Sequence, residues 1–194
     1  MPERGCHALA LDGDKRQVDS LTSNIGHLLW SGILDESEAA ATTERLLDEE
    51  LYSGWGVRTL GTHEAGYNPL GYHTGTIWPH ENSLIAAGLA RYGHHEAART
   101  IASAILAAAP AFEHRLPEVF AGFPVALTSV PVAFPTASRP QAWAAGAPLL
   151  LLSTVLGLQP EDTDVEADLP DPTGHISIQR SPAHQRRQPT PVTE

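Results

Sequence analysis

The sequence predicts an all-α fold. Apolar residues recur at helical spacing in several segments, and proline or glycine stands where these segments begin and end. We identify no alternating run of polar and apolar residues of the kind that a sheet needs. Polar, aromatic loops separate the helical segments, so we expect helical hairpins with functional residues in the connections.

Two helices are predicted in the first 51 residues. Ser23 can cap a short helix that runs from Asn24 through Trp30. Asp35 and Glu38, three residues apart, form a capping-box pattern for a longer helix, whose apolar side consists of Ala39, Leu46, Leu47 and Leu51. The Gly-rich, aromatic segment that follows contains too many helix breakers for a regular element, and it is predicted to be a structured loop.

A helical hairpin is predicted next. Pro79 suits the first turn of a helix, and residues 83–92 continue it as an apolar, small-residue pattern. A second helical pattern covers residues 96–109. The connection at residues 93–95 is short, which favours antiparallel packing of the two helices.

The last third of the chain changes character twice. Residues 116–136 are rich in proline and are predicted to be a loop, after which Pro140 opens a final apolar helix, 141–156. Residues 159–194 combine prolines and charges with few large apolar groups, so burial cannot offset the entropy cost of ordering them. We therefore predict one folded domain, residues 1–158, and a disordered tail, residues 159–194.

Composition restricts the partners and the location. Twelve basic residues against 23 acidic ones give a net charge of −11, which argues against duplex nucleic acid or an anionic membrane as the main partner. Cys6 is the only cysteine, and the first residues lack the apolar core of a signal peptide. No apolar run approaches the ~20 residues that span a bilayer. We expect a cytoplasmic protein.

The most informative motif precedes and enters the predicted hairpin, Tyr72-His73-Thr74-Gly75-Thr76-Ile77-Trp78-Pro79-His80-Glu81-Asn82. Aromatic faces pack against the C–H surfaces of sugar rings, while imidazole, carboxylate and amide groups hydrogen-bond hydroxyls. Carbohydrate is the ligand class that this mixture suits best. The alternative interpretation is structural, with Trp78 filling a gap in the core and the His and Asn side chains capping the helix.

Four blocks in this order resemble the amylo-α-1,6-glucosidase or glycogen-debranching-like glycoside hydrolases: residues 23–30, residues 75–82, Leu116-Pro117-Glu118 and Pro140-Gln141-Ala142-Trp143. The resemblance runs from about residue 8 to residue 157. It implies an (α/α)6 barrel, in which a ring of inner helices is wrapped by outer ones. Because this chain matches only the C-terminal part of that domain, we expect an incomplete barrel from a truncated or split protein.

Inverting glycoside hydrolysis needs a carboxylic acid and a second carboxylate that activates water. The resemblance assigns Glu118 as the general base. The alternative is a loop glutamate that caps a turn or pairs with Arg115. The general acid is expected from an earlier region that this chain lacks. Glu81 stands where the family has an aspartate, and its position at a helix start suits hydroxyl binding better than an acid role.

The predicted substrate-binding residues are Trp30, His73, Trp78, His80, Glu81, Gln141 and Trp143. The tryptophans are expected to line the sugar subsite, although aromatic residues at helix ends also serve as core wedges. The histidines lack a zinc-binding spacing, so we expect no metal and no cofactor. The expected partners are a carbohydrate substrate and an upstream chain that completes the barrel. A non-catalytic sugar-binding half and an inactive remnant are the alternatives, and an exposed apolar flank at Leu84, Leu89 and Ile101 would support the first.

Overall fold

A computed structural model of the chain describes residue 1, residues 4–158 and the backbones of residues 164–168 and 175–179. The described residues divide into two units, one within residues 1–155 and the other within residues 156–194. Their elements, in chain order, are β1 (Ala10–Leu11), β2 (Gln17–Val18), α1 (Ile25–Ser31), α2 (Glu36–Leu47), α3 (Pro79–Arg91), α4 (His95–Ala108), a 3₁₀ turn (Ala109–Phe112), α5 (Ala142–Leu156), β3 (Asp164–Asp168) and β4 (His175–Gln179). None of the helices described is long and apolar enough to cross a bilayer.

The predicted helices are all present, and one predicted cap is wrong. Asp35 and Glu38 form the expected capping box at the start of α2, where the Asp35 carboxylate accepts a hydrogen bond from the Glu38 N–H at 2.8 Å. Ser23, in contrast, does not cap α1, because its hydroxyl donates to the Glu81 carboxylate instead. The Ser23 hydroxyl thus binds a side chain that is distant in sequence instead of the backbone of the helix that follows it.

The predicted helical hairpin is confirmed. Pro79 occupies the first turn of α3, and α4 begins at His95, one residue before the predicted start. Gly93, with φ +79°, lies between the helices in the left-handed region that glycine tolerates best. The hairpin brings the apolar faces of α3 and α4 together over a short connection.

Two short β-ribbons correct the expectation that the chain contains no strands. β1 pairs with β2, and β3 pairs with β4 in antiparallel register, with Val165 opposite Ile178 and Ala167 opposite Ile176. Polar and apolar residues alternate with a period of two in β3 and in β4, and proline and glycine separate the two strands. The polar composition of this region outweighed that signal and led to the prediction of disorder. The remaining residues of the predicted tail lie outside the described part.

The core lies where α1 and α4 pack against α3. Completely buried side chains from all three helices meet there: Leu29, Ile85, Leu89, Ile101 and Ile105. Leu89 and Ile101 are therefore core residues, and they do not form the exposed apolar flank that would have supported a non-catalytic sugar-binding half. The apolar side chains that α5 exposes are instead Trp143 and Leu149.

The crossing of α1 and α3 depends on Gly88. A Cβ atom at this position would lie 2.6 Å from the backbone nitrogen of Trp30 and 2.8 Å from the carbonyl carbon of Leu29. Both are backbone atoms, so only a movement of one helix relieves the clash. We predict that Gly88→Ala lowers the free energy of unfolding by about 2 to 3 kcal/mol, measured by urea denaturation.

The matched control is Gly146→Ala in α5, where an added Cβ meets no atom within 4 Å. Because alanine has the higher helix propensity, this change should stabilise the chain by about 0.5 to 1 kcal/mol. Equal effects of the two substitutions would show that the close helix crossing does not restrict residue 88.

Isolated backbone bridges connect the loops that surround the helices. Arg58 pairs with Ile77, Ile77 with Phe120, and Phe120 with Ala133, each in antiparallel orientation. Four segments that are distant in sequence thus lie side by side. Trp78 and Glu118, two of the predicted functional residues, lie within two residues of these bridges.

Candidate active site

The pairing of Ile77 with Phe120 places Trp78 near Glu118. The Ile77 N–H donates to the Phe120 carbonyl at 2.9 Å, and the Phe120 N–H donates to the Ile77 carbonyl at 3.0 Å. Trp78 directly follows the first residue of this pair, and Glu118 lies two residues before the second. Two segments about 40 residues apart are therefore fixed to each other by main-chain hydrogen bonds.

The start of α3 is held by the buried amide of Asn82. Its Oδ1 accepts a hydrogen bond from the Val57 N–H at 2.7 Å, while Nδ2 donates to the Val57 carbonyl at 3.1 Å and to the Trp78 carbonyl at 3.0 Å. A buried amide with these partners fixes the position of the loop against the helix. The segment that carries Trp78 is therefore rigid at both ends.

Aromatic rings surround Trp78. Tyr72 contacts it edge-on with ring centroids 4.8 Å apart, and the His73 ring stacks on it at 5.2 Å. Trp143, at the start of α5, contacts Trp78 edge-on at 5.9 Å and stacks with His80 at 4.8 Å. The indole N–H of Trp78 donates to the Tyr72 carbonyl at 3.1 Å, so the orientation of this ring is fixed.

Glu118 is buried beside this cluster, with 8% of its surface exposed. Its N–H donates to the Ser138 carbonyl at 3.0 Å, and its Oε2 accepts a hydrogen bond from the Ser138 N–H at 3.4 Å. Partial desolvation and the neighbouring Glu118 carboxylate raise the pKa of the Tyr72 hydroxyl. Within the described residues Glu118 forms no ion pair with Arg115, so the structural alternative based on that pair is not supported.

Glu81 lies in the first turn of α3 with two partners from the region of α1. The Ser23 hydroxyl donates to Oε1 at 2.7 Å, and Nε2 of His27 lies 3.6 Å from the same oxygen. A hydrogen bond with Glu81 raises the pKa of His27. Burial lowers the pKa of His80, an effect that the charge of Glu81 partly opposes.

We predict that His27 titrates at a higher pH than His80, and that Glu81→Gln narrows the difference because His27 loses its acceptor carboxylate. The ring-proton chemical shifts of the two histidines, followed by NMR against pH, measure this directly. A raised folded-state pKa means that the His27 contribution to stability is present below pH ~6.5 and is lost as the pH rises through the folded-state value. Since His27 is half exposed, this contribution should be only a few tenths of a kcal/mol. Identical titrations in both proteins would contradict the assigned contact.

A cavity of about 590 Å³ lies between the aromatic cluster and the start of α1. This volume falls within the range of small-ligand sites. Four predicted site residues line it, His73, Trp78, Glu81 and Trp143, together with hydroxyl and amide side chains from residues 20–24, 59 and 74. One wall is aromatic and another is polar, a combination that suits a sugar ring.

The other predicted site residues do not line this cavity. Glu118 contacts Tyr72, and His80 stacks on Trp143. Gln141 uses its side-chain oxygen to accept a hydrogen bond from the Ala142 N–H at 2.8 Å. Trp30 is exposed on α1. The functional roles assigned to all these residues remain predictions.

Sequence reasoning missed three residues of the site. Tyr72 belongs to the predicted motif but was not predicted to be a neighbour of Glu118. Ser23 and His27 were not assigned to the site, although their four-residue spacing at the start of a helix predicts a common face. Groups of three or more His, Cys, Asp or Glu side chains that could hold a metal ion are absent from the described part of the chain.

Comparison with known proteins gives a family match and several similar folds. The sequence profile of the mannosylglycerate hydrolase MGH1-like glycoside hydrolase domain matches residues 6–120. A comparison with curated protein sequences finds no match. The crystal structure of an uncharacterised conserved protein from Thermus thermophilus is similar, with a TM-score of 0.63 and 17% identity over 78% of this chain and 35% of that chain.

Two similar structures have named activities. The GH63 mannosylglycerate hydrolase from Thermus thermophilus, in complex with Tris, gives a TM-score of 0.59 at 18% identity, covering 73% of this chain and 31% of that chain. The neutral trehalase Nth1 of Saccharomyces cerevisiae gives a TM-score of 0.54 at 16% identity, covering 73% of this chain and 25% of that chain. At these identities the similarity concerns the fold. The chain spans about a third or less of each of these structures.

The expected glycoside hydrolase fold is confirmed at this level. The similar structures are (α/α)6 glycosidases, and the five helices described here are consistent with part of such a toroid. The matching family is named for mannosylglycerate hydrolase, and the debranching subtype therefore remains a prediction.

Proposed function

Because the chain belongs to the family of mannosylglycerate hydrolase MGH1-like glycoside hydrolase domains, we propose that it supplies the general base and part of the sugar site of an inverting glycosidase. The proposed substrates are glycosides with an α-glucosidic bond, as in the debranching-like enzymes that the sequence resembles. The observation that carries the proposal is the main-chain pairing of Ile77 with Phe120, which joins the loop of Glu118 to the aromatic segment at Tyr72 and Trp78.

Glu118 has the surroundings that a general base needs. In the proposed reaction its carboxylate accepts a proton from water, and the water oxygen attacks the anomeric carbon from the face opposite the leaving group. The bond from that carbon to the glycosidic oxygen breaks, and the leaving oxygen takes a proton from an acid. The hydrogen bond from the Ser138 N–H would hold the carboxylate in one orientation during this step.

The acid is proposed to come from outside this chain. Glu81 is the only carboxylate among the residues that line the cavity, and one of its oxygens is already engaged by Ser23. A general acid must deliver a proton to the leaving oxygen, whereas the Ser23 hydroxyl uses the Glu81 carboxylate as a hydrogen-bond acceptor. We therefore assign Glu81 to substrate binding and the acid to an upstream part of the toroid.

The aromatic wall is proposed to bind the sugar. Trp78 and Trp143 meet at an angle of 76°, so a pyranose ring can contact one indole face while the second ring closes the side of the cavity. The His73 ring stacks on Trp78 and adds ring nitrogens to this wall. This arrangement fixes the position of a ring and leaves its hydroxyls to the polar wall.

A second candidate function is a non-catalytic carbohydrate-binding half that requires an upstream partner chain. The exposed Leu149 and Trp143 on α5 favour this alternative, as does coverage of only 35% or less of the similar chains described above. An inactive remnant would keep these exposed side chains but would lack an ordered sugar site.

The test is a proton NMR record of an α-glucoside incubated with the purified chain and the candidate upstream protein. The proposal predicts β-glucose as the first product, before mutarotation, because attack by water inverts the anomeric carbon. Initial α-glucose would contradict the inverting mechanism. Saturable sugar binding without any hydrolysis would support the binding half instead, and the absence of both would indicate a remnant.

A further inference from the structure

Helix α5 is apolar on both of its sides. None of its 15 residues is charged. Ala144, Ala147 and Leu151 are buried on one side, while Trp143 and Leu149 are exposed on the other. A helix that is apolar all round is normally packed in the interior of a structure, so we expect α5 to have a packing partner on its exposed face as well.

The outer faces of α2 and α4 differ from that of α5. Glu36 and Glu44 are exposed on α2, and Glu96 and Arg99 are exposed on α4. These charges suit faces that remain in contact with water. Within the described part of the chain, α5 also makes only slight contact with the other helices. Its exposed face therefore has the composition of an interface and lacks a cover.

The ring architecture indicates what covers this face. In a closed ring of helices each helix lies between two neighbours, and an exposed apolar patch on one member marks a contact surface. The chain covers only 31% of the similar mannosylglycerate hydrolase structure and 25% of the similar trehalase, so it supplies an arc and not a closed ring. The missing neighbour of α5 then belongs to the part of the toroid that this chain lacks.

The exposed face of α5 begins at the sugar cavity. Trp143 lines the cavity and stacks with His80, yet 43% of its surface remains exposed. Leu149 lies six residues further along the helix, which is about 9 Å along its axis, and is 69% exposed. A partner that covers both side chains extends to the edge of the cavity and becomes part of its wall.

We propose that the exposed face of α5, defined by Trp143 and Leu149, is the docking surface for the helices that complete the toroid, and that the docked partner adds a wall to the sugar cavity. This inference rests on the proposed function, in which the same partner supplies the general acid. The partner surface that fits is an apolar helix face, because a charge buried against α5 meets no opposite charge on this helix.

The test measures binding of the full chain to the candidate upstream protein by isothermal titration calorimetry, with two matched variants. Leu149→Glu places a charge in the proposed contact and should weaken the complex about 100-fold or more. Leu106→Glu makes the same change on α4, where Leu106 is also exposed, and should leave the affinity within about threefold of the wild type. Leu149→Ala, which introduces no charge, should weaken the complex about tenfold.

The added wall has its own measurement. Glucose should bind the complex more tightly than it binds the chain alone, and Leu149→Glu should remove this gain because the variant does not recruit the partner. Equal affinity of glucose for the chain and for the complex would overturn the claim that the partner forms part of the cavity.

The other outcomes are equally decisive. Failure of the wild type to bind the upstream protein, or equal weakening by the Leu106 and Leu149 variants, would overturn the docking surface. Sedimentation velocity of the chain alone identifies a competing occupant, since a dimer that Leu149→Glu dissociates would assign this face to a second copy of the chain. A complex that depends on Leu149 but neither binds nor hydrolyses a glycoside would keep the docking surface and overturn the proposed function. Hydrolysis that is insensitive to Leu149→Glu would do the reverse.

Discussion

Replacing Glu118 by Gln is expected to reduce glycoside hydrolysis by a factor of about 10² to 10⁴ while leaving sugar affinity within about threefold of the wild type. The amide has nearly the same size as the carboxylate and can still accept the hydrogen bond from the Ser138 N–H, but it cannot accept a proton from water. The substitution should therefore lower kcat and leave KM nearly unchanged. It is measured with an α-glucoside under the conditions in which the wild type is active, with sugar affinity measured separately by calorimetry.

The matched control is Glu113→Gln. Glu113 precedes Glu118 by five residues, but its side chain is exposed and pairs with Arg139 on the surface. Turnover by this variant should match the wild type because an exposed ion pair contributes little. Wild-type turnover by the Glu118 variant would show that another residue activates the water.

Replacing Gly122 by Ala is expected to lower the free energy of unfolding by about 3 kcal/mol or more. A Cβ atom on Gly122 would lie 1.7 Å from the carbonyl oxygen of Gly75, which is a main-chain atom that no rotamer change can move. At this contact the loop of Glu118 packs directly against the segment of Trp78. Relief of the clash must therefore push the proposed base away from the aromatic wall, and we also expect weaker sugar binding.

Urea denaturation measures the stability loss, and tryptophan fluorescence reports whether the environment of Trp78 changes. Gly13→Ala is the control, because an added Cβ there meets nothing within 4 Å and its φ is not positive. That substitution should change stability by less than about 1 kcal/mol. A Gly122 variant as stable as the control would mean that the two segments are not in close contact in solution.

The helices were predictable because their signals are local. The capping box at Asp35, the proline at residue 79 and the glycine at residue 93 determine the ends of α2, α3 and the hairpin through neighbouring residues alone. The β3–β4 ribbon was missed because its strands are short and polar, so composition outweighed an alternation that spans only five residues.

Most residues of the site could be predicted from the sequence, but their contacts with one another could not. The motif from Tyr72 to Asn82 identified the aromatic wall, and Trp143 joins it through a contact across more than 60 residues. Ser23 had two available partners, the backbone at the start of α1 and a distant carboxylate, and only the tertiary fold selects Glu81. The burial of Leu89 by α1 and α4 could not be predicted, because it depends on a helix crossing that the sequence does not encode locally.

The most direct test of the central claim is hydrolysis of an aryl α-glucoside by the purified chain, alone and with the candidate upstream protein. The account predicts no turnover by the chain alone, turnover after the upstream protein is added, and loss of that turnover when Glu118 is replaced by Gln. Turnover by the isolated chain would contradict the proposal that the general acid comes from outside this chain. Activity of the mixture that persists in the Glu118 variant would contradict the proposal that this chain supplies the base.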